Sequence, residues 1–228
     1  MTRYEEKPVI VQSDRSILLE TDGPLFEEAR DCLAAFSELV KSPEHIHTYK
    51  LSPLALWNAA SLGLSATEVV DSLKRFSRYE IPQNILADIQ DQMSRYGRIK
   101  LYRKDDGGLV LSADHPLLIR ELLSHRQIKD LVFPAEDTHT LSVKAENRGN
   151  LKSALIKIGF PVEDLAGYAD GAPLEIAVRE TTLSGRPFGL RQYQKESVDA
   201  FYLNGSNQGG SGVIVLPCGA GKTIVAIG

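Results

Sequence analysis

The stretch GVIVLPCGAGKTIVAIG at the end of the sequence constrains the fold more than any other part of the chain. Val213–Leu216 is an unbroken apolar run, which is typical of a strand covered by helices on both faces of its sheet. The loop PCGAGKT follows, and the apolar residues after Thr223 favour a helix. A parallel α/β domain begins with strand, glycine loop and helix in this order. The sequence therefore predicts a strand over Val213–Leu216 and the first part of such a domain.

This loop has the chemistry of a phosphate-binding site. Gly219 and Gly221 let the backbone turn so that successive N–H groups point at phosphate oxygens. Lys222 would reach the β- and γ-phosphates of ATP and the Thr223 hydroxyl would bind Mg²⁺, so these two are the predicted catalytic residues. Leu216 stands where the common motif has glycine, so the loop is a shorter variant. The residues predicted to bind nucleotide here are Pro217, Cys218, Gly219, Ala220, Gly221, Lys222 and Thr223.

An ordinary glycine-rich turn is the alternative interpretation of this loop. A turn alone does not account for the apolar run before it, the Gly-x-Gly-Lys-Thr core, and the helix-compatible IVAI after it. The agreement of all three features favours the phosphate-binding interpretation.

Composition and charge exclude several classes of protein. Hydrophobic residues make up 43% and charged residues 25% of the 228 residues, a globular mixture with room for more than one domain. The net charge of −4 excludes a polycation that binds DNA by bulk charge, so a nucleic-acid site must be a local patch. Cys32 and Cys218 lie far apart, and no apolar run resembles a signal peptide or a membrane span. We therefore expect a reduced, cytoplasmic protein without a membrane partner.

The first part of the chain predicts two strands followed by a long helix. KPVIVQSDRSILLE has the pattern of short strands around a polar turn at residues 13–16. Pro24 suits a first helical position, and apolar residues at helical spacing predict a helix that ends near Ser42. His45 and His47 would share one face of a strand, but no Cys or carboxylate cluster completes a four-ligand zinc site. We therefore predict no metal site there.

Three helices and a hairpin are predicted next. The helices cover residues 53–63, 66–77 and 82–97, and the second begins with the Ser/Glu spacing of a capping box. RIKLYRKDDGGLVLS alternates like two strands around a turn at residues 105–108. Three short helices followed by a hairpin is the order of a winged helix. We therefore expect a winged-helix-like part over about residues 48–112.

A small α/β module is predicted after this hairpin. HPLLIRELLSH and NRGNLKSALIKIG have helical patterns, whereas HTLSVK and PLEIAVRE have strand patterns. After a linker-like TTLSGRPFG, the stretch RQYQKESVDAFYLNG predicts the helix that precedes the phosphate loop. The sequence thus predicts a multidomain chain of mixed α+β and α/β class, with domains over residues 1–112, 113–184 and 185–228.

The block GLRQYQKESVDAF, upstream of the glycine loop, resembles the Q-motif region of superfamily 2 helicases. In that family a glutamine reads the adenine ring, which implies Gln194 here, with Arg191 beside it as a second nucleotide-binding residue. A side-chain amide offers adenine a donor and an acceptor side by side. A solvated helix residue is the alternative for Gln194.

Three longer blocks resemble the N-terminal portion of bacterial XPB-type DNA repair helicases: VKSPEHIHTYKLSPLALWNAASLGLS, YEIPQNILADIQDQMSRYGRIKL and LKSALIKIGFPVEDLAGYADGAPLEI. The resemblance covers essentially the whole chain. It implies an ATP- and Mg²⁺-dependent DNA helicase or translocase that unwinds duplexes 3′ to 5′. It also implies that residues 113–184 stand in the place of the family's damage-recognition domain, and that residues 185–228 begin a RecA-like lobe.

The same resemblance implies which parts of the motor follow this sequence. The Walker B box and the arginine fingers of the family would lie beyond Gly228. We therefore expect a fragment that ends just after the Walker A loop and is inactive by itself. An apolar strand without neighbouring strands leaves sheet edges and hydrophobic surface exposed. For this reason we expect residues 185–228 alone not to bind ATP in the micromolar range.

Two clusters of basic residues are the predicted contacts to DNA. Tyr79, Tyr96 and Tyr102 are interleaved with them and would stack on bases. The alternative is a solvated face with core tyrosines. The acidic residues of the third predicted helix favour a protein-docking or purely structural role over direct DNA reading. The predicted nucleic-acid residues are Lys74, Arg75, Arg95, Arg98, Lys100 and Arg103.

A second function of another class stays open at this point. The chain would be a non-catalytic DNA- or protein-binding regulatory fragment with a remnant phosphate loop. On the helicase interpretation its partners are DNA and a protein bound through the N-terminal domain, with nucleoid association when DNA is bound. The sequence does not give an oligomeric state.

Overall fold

The structure is a computed structural model that describes residues 7–104, 107–135, 137–167, 179–206, 210 and 212–227. The chain divides into two compact units, Met1–Ala166 and Gly167–Gly228. The first unit holds two β-sheets, each with its own hydrophobic core. No helix among the described residues is long and apolar enough to cross a membrane. This mixture of helices and sheets confirms the predicted mixed α and β class.

The first sheet has antiparallel neighbours in the order β1-β2-β4-β3. Its strands are β1 (Val9–Val11), β2 (Ser16–Glu20), β3 (Glu38–Lys41) and β4 (Ile46–Lys50). The two strands predicted around residues 13–16 are β1 and β2, so that prediction is confirmed. Ile17 and Leu19 alternate with less buried residues along β2 and are fully buried. This alternation places one face of the sheet on the core.

The helix predicted from Pro24 to Ser42 is wrong in its second half. Helix α1 covers only Phe26–Ala34, and β3 follows it. Leu39 of β3 pairs with Tyr49 of β4 at the edge of the sheet, and Leu39 is 53% exposed. The helical spacing of the apolar residues was therefore fortuitous, because ladder pairing with β4 is a non-local interaction that outweighs local pattern.

The three helices predicted before the hairpin are confirmed. Ser52 accepts a hydrogen bond from Ala55 N at 3.0 Å, and Ser65 and Glu68 form the predicted capping box. The helices pack with α1 and the first sheet into one core. Trp57 is buried as well. They are α2 (Pro53–Ser61), α3 (Ala66–Phe76) and α4 (Gln83–Arg95).

The second sheet has the order β7-β8-β6-β5-β9. Its strands are β5 (Ile99–Arg103), β6 (Leu109–Ala113), β7 (Val132–Pro134), β8 (Thr140–Val143) and β9 (Glu163–Asp164). The predicted hairpin is β5–β6, but β6 also pairs with β8, with Leu111 opposite Leu141. The sheet therefore crosses the boundary predicted at residue 112. In the structure the hairpin is part of this larger sheet and not a separate wing. The winged-helix arrangement is therefore not confirmed and stays a prediction.

Three helices follow in this part of the first unit, and two of them match the predicted patterns. They are α5 (Pro116–Ser124), α6 (Arg126–Lys129) and α7 (Arg148–Lys157). Asp164 of β9 accepts hydrogen bonds from Arg148 at 2.9 Å and from Lys152 at 2.8 Å. Burial opposes ionisation of Asp164, but these hydrogen bonds prevail and hold its pKa below the ordinary value. The cluster thus ties β9 to α7.

The described part of the second unit contains α8 (Gln192–Tyr202) and α9 (Lys222–Ile227). Helix α8 confirms the helix predicted before the phosphate loop. The strand predicted over Val213–Leu216 is wrong, because these residues have no strand pairing among the described residues. Val213 and Val215 are 89% and 86% exposed. The strand predicted from PLEIAVRE lies outside the described residues at positions 173–178.

Candidate nucleotide-binding site

The glycine loop adopts a backbone that requires glycine at two positions. Gly219 and Gly221 both have φ of +79°, in the left-handed region that side chains with a Cβ disfavour. Ala220 N donates a hydrogen bond to Pro217 O at 3.3 Å, which closes the turn between them. Helix α9 begins directly after Gly221. The loop therefore has one hydrogen-bonded turn before the helix, with left-handed backbone at both glycines.

The two predicted catalytic residues lie exposed at the start of α9. Lys222 Nζ donates a hydrogen bond to Pro217 O at 3.2 Å, so the ammonium group reaches back across the loop. Thr223 follows with an exposed side chain. Cys218 is also exposed and forms no disulfide. The structure thus brings the predicted loop residues together around one short turn.

Gln194 contacts this loop from the first turn of α8. Its Nε2 donates to Ala220 O at 2.9 Å, and its Oε1 accepts from Arg191 N at 2.9 Å. The residue is only 6% exposed. The alternative of a solvated helix residue is therefore wrong. Both ends of its amide form hydrogen bonds within the protein. Adenine recognition by Gln194 stays a prediction.

Tyr193 is a residue of this site that sequence reasoning missed. Its hydroxyl donates to Ala220 O at 2.8 Å, from the residue next to Gln194. The one available signal was its place inside the block RQYQ, since the contact is to backbone far along the chain. Arg191 is exposed, and its contribution to the site is the backbone N–H that Gln194 accepts.

An apolar groove of about 440 Å³ lies beside the loop in the same unit. Side chains of α8, of the segment before the loop and of α9 form its walls. A parallel sheet would bury an apolar surface of this kind. The lining residues are Val198, Phe201, Tyr202, Ile214, Val225 and Ala226.

The residues predicted to contact DNA are mostly engaged with other groups of the first unit. Four of the six pair with carboxylates: Arg75 with Glu28, Arg95 with Asp91, Arg98 with Asp114, and Lys100 with Glu163. Arg103 Nε donates to Ala166 O at 3.0 Å. Lys74 lines a separate groove of about 400 Å³ together with Tyr79. These pairings reduce the positive charge that the surface offers to phosphates.

The three tyrosines of this region differ in their exposure. Tyr79 and Tyr102 are 62% and 40% exposed, so both present ring surface to solvent. Tyr96 is more enclosed, and burial together with the negative charge of Glu163 raises the pKa of its hydroxyl. Two of the three predicted stacking rings are therefore exposed, and stacking on bases stays a prediction.

Of the two histidines near the first sheet, His45 has its Nδ1 3.5 Å from Asp22 Oδ2. Within the described ranges, no group of three or more His, Cys, Asp and Glu residues could hold a metal ion. His47 lies on β4 with its ring centroid 5.3 Å from that of Phe26 in an edge-to-face arrangement, and its Nδ1 is buried. Its role in the described structure is packing.

Comparison with known families decides where the chain belongs. Residues 9–137, more than half of the chain, match the family described as helicase conserved C-terminal domain. The chain belongs to this helicase family. Residues 187–228, which hold the glycine loop, match the family described as type III restriction enzyme, res subunit.

Individual helicases extend the match over almost the whole chain. A DNA 3′-5′ helicase XPB of Kineococcus radiotolerans is 46% identical over 96% of this chain and 37% of its own length. The protein of the same name from Mycobacterium tuberculosis is 45% identical over 96% of this chain and 38% of its length. The general transcription and DNA repair factor IIH helicase/translocase subunit XPB/SSL2 of Saccharomyces cerevisiae is 27% identical over 96% of this chain. The predicted resemblance to XPB-type helicases is confirmed, and the chain spans under two fifths of the length of these bacterial relatives.

Proposed function

We propose that this chain is part of an ATP-dependent DNA helicase or translocase that moves 3′ to 5′ and works in DNA repair. The relatives named XPB and the helicase family of residues 9–137 support this activity. The observation that carries the proposal is the loop from Pro217 to Thr223. Its two left-handed glycines and its lysine, which bonds to Pro217 O, fit a nucleoside triphosphate. ATP is therefore the proposed substrate of this loop.

The loop residues suggest how the nucleotide is held. Gly219 has open space where a Cβ would stand, so an anion can approach the backbone closely. The Lys222 ammonium would exchange Pro217 O for the β- and γ-phosphate oxygens and stabilise the charge of the transferring group. The exposed Thr223 hydroxyl is placed to bind Mg²⁺, which when bound neutralises charge on the phosphates.

The second unit is proposed to begin a RecA-like lobe. The match of residues 187–228 to a second family and the exposed apolar side chains of Val213 and Val215 support this assignment. In a RecA-like lobe these residues form a strand that neighbouring parallel strands and helices cover. The apolar groove beside α8 would be closed by the same elements.

The first unit is proposed to position DNA or a protein partner. On the family assignment, residues 1–112 correspond to the N-terminal domain, and residues 113–184, which extend beyond the first unit, stand in the place of the damage-recognition domain. Within the first unit, the sheet that β6 and β8 share joins these two assigned regions. The yeast relative is named as a subunit of factor IIH, which supports a protein partner. Contact with DNA would place the protein on the nucleoid within the cytoplasm.

DNA-stimulated ATP hydrolysis by the polypeptide purified from its native source tests the proposal. We expect Lys222→Ala to lower the turnover number about 100-fold or more, because it removes a charge that stabilises the transferring phosphoryl group. Lys195→Ala, an exposed lysine of α8, is the matched control and should leave the rate unchanged. No DNA-stimulated hydrolysis would instead favour a non-catalytic binding protein with a remnant phosphate loop.

A further inference from the structure

One backbone carbonyl of the phosphate loop accepts hydrogen bonds from two side chains. The Tyr193 hydroxyl lies 2.8 Å and Gln194 Nε2 lies 2.9 Å from Ala220 O. We call these two groups the donor pair. Both come from the first turn of α8, so one rigid element holds this carbonyl twice.

The donor pair fixes the direction of the next N–H group. The peptide between Ala220 and Gly221 is trans, so its carbonyl and its N–H point in opposite directions. Holding Ala220 O against α8 therefore turns the Gly221 N–H to the side away from α8. Without the donor pair, the left-handed glycine at 221 would let this peptide rotate more freely.

The Gln194 amide has only one orientation that satisfies its neighbours. Arg191 offers an N–H and Ala220 offers a carbonyl, so Oε1 must face Arg191 and Nε2 must face the loop. The side chain is 6% exposed. Its amide therefore links the start of α8 to the loop, whether or not a nucleotide base is present.

Gly221 is needed for this contact as well as for the turn. A Cβ on residue 221 would stand 2.7 Å from Gln194 Nε2, closer than a Cβ approaches a non-bonded atom in folded proteins. Any side chain at this position would push Gln194 away from Ala220 O. The glycine thus admits the donor pair to the loop backbone.

We propose that Tyr193 and Gln194 are positioning residues that orient the Ala220–Gly221 peptide so that its N–H is presented to a nucleotide phosphate. The proposal rests on the proposed function, because it assumes that phosphates bind at this loop. It assigns Gln194 a task that does not depend on adenine. It also assigns a task to the Tyr193 hydroxyl.

The first experiment needs no nucleotide. Amide NMR spectra of the 228-residue chain would be compared for wild type, Tyr193→Phe and Gln194→Glu. Glutamate keeps the acceptor for Arg191 N but loses the donor to Ala220 O, so it separates helix capping from loop orientation. We expect both variants to shift the Gly221 amide signal and to speed its hydrogen exchange. Tyr202→Phe, an exposed tyrosine at the other end of α8, should leave that signal unchanged.

The second experiment titrates the same proteins with Mg-ATP and with Mg-tripolyphosphate, which has no base. We expect each variant to weaken both ligands by the same factor of about fivefold, the contribution of one hydrogen bond. Loss confined to Mg-ATP would overturn the proposal in favour of base reading by Gln194. An unchanged Gly221 signal would overturn it independently of any ligand. If wild type binds neither ligand even at millimolar concentrations, the proposed nucleotide function of this loop fails. The ligand-free spectra still decide the orientation of the peptide.

Discussion

Apolar residues behave differently in the two units of the chain. In the first unit Ile17 and Leu19 are fully buried, because β2 has a neighbouring strand on each side and helices over one face. In the second unit Val213 and Val215 are 89% and 86% exposed and belong to no strand of the described residues. An apolar run therefore becomes a strand only where other strands supply ladder partners.

The phosphate loop keeps its turns even though the segment before it is not a strand. Side chains of α8 hold the loop through Ala220 O, and Lys222 closes it by bonding to Pro217 O. Local hydrogen bonds thus preserve the loop where sheet packing is missing. Because the segment before the loop has no strand partners among the described residues, we expect residues 185–228 by themselves to bind ATP more weakly than in the micromolar range.

The largest expected difference in stability is between a side-chain truncation in the first unit and one in the second. Leu111→Ala removes a fully buried side chain of the second core and should lower the free energy of unfolding by about 3 kcal/mol. Val215→Ala removes an exposed side chain and should change it by less than about 0.5 kcal/mol. Urea unfolding followed by circular dichroism measures both. A comparable loss from Val215→Ala would mean that this segment is packed in solution.

A smaller effect is expected at the cluster that ties β9 to α7. Asp164→Asn should lower the free energy of unfolding at neutral pH by about 1–3 kcal/mol, because Arg148 and Lys152 lose their carboxylate. The pKa of Asp164 is held below its ordinary value of 3.8, so its contribution is full above that value. The contribution disappears as the pH falls through the lowered pKa.

Urea unfolding at several pH values checks this prediction against an exposed pair. Asp130→Asn breaks the pairing with Arg126. The Arg126 side chain is 94% exposed and the Asp130 side chain is 70% exposed. It should change the free energy of unfolding by less than about 0.5 kcal/mol. Equal effects of the two substitutions would show that the Asp164 cluster contributes no more than a surface pair.

The smallest expected effect concerns a helix end of the first unit. Ser65→Ala removes the hydroxyl that accepts from Glu68 N and should cost about 1 kcal/mol of stability. Thr67→Ala changes an exposed residue of the same turn and serves as the control. Thermal unfolding compares the two variants. A Ser65→Ala protein as stable as the control would mean that the capping box does not hold in solution.

Local chemistry explains which elements could be predicted from the sequence. The caps at Ser52 and Ser65 are formed by groups within one helical turn, so the helix starts were correct. Pairing between Leu111 and Leu141 joins distant segments, so the hairpin was predicted but its sheet was not. The error at Leu39 has the same cause, since its spacing fits a helix and its partner Tyr49 lies on another strand.

In the candidate site, too, local features could be predicted from the sequence and contacts between distant segments could not. The turn at Gly219 and Gly221 and the position of Lys222 follow from a short motif, so the sequence was sufficient to find them. The contact of Tyr193 with Ala220 O carries no pattern that periodicity or spacing could reveal. Likewise, the basic residues near the hairpin were found, but their carboxylate partners on other elements were not.

In the proposed function, the loop of the second unit binds a nucleotide through Lys222. The most direct measurement is an amide NMR titration of this chain with Mg-ATP, for wild type and for Lys222→Ala. We expect saturable shifts of the Gly219 and Gly221 amides at concentrations above the micromolar range, and affinity at least about tenfold weaker in the variant. Identical titrations of the two proteins, or no shift at either glycine, would contradict it.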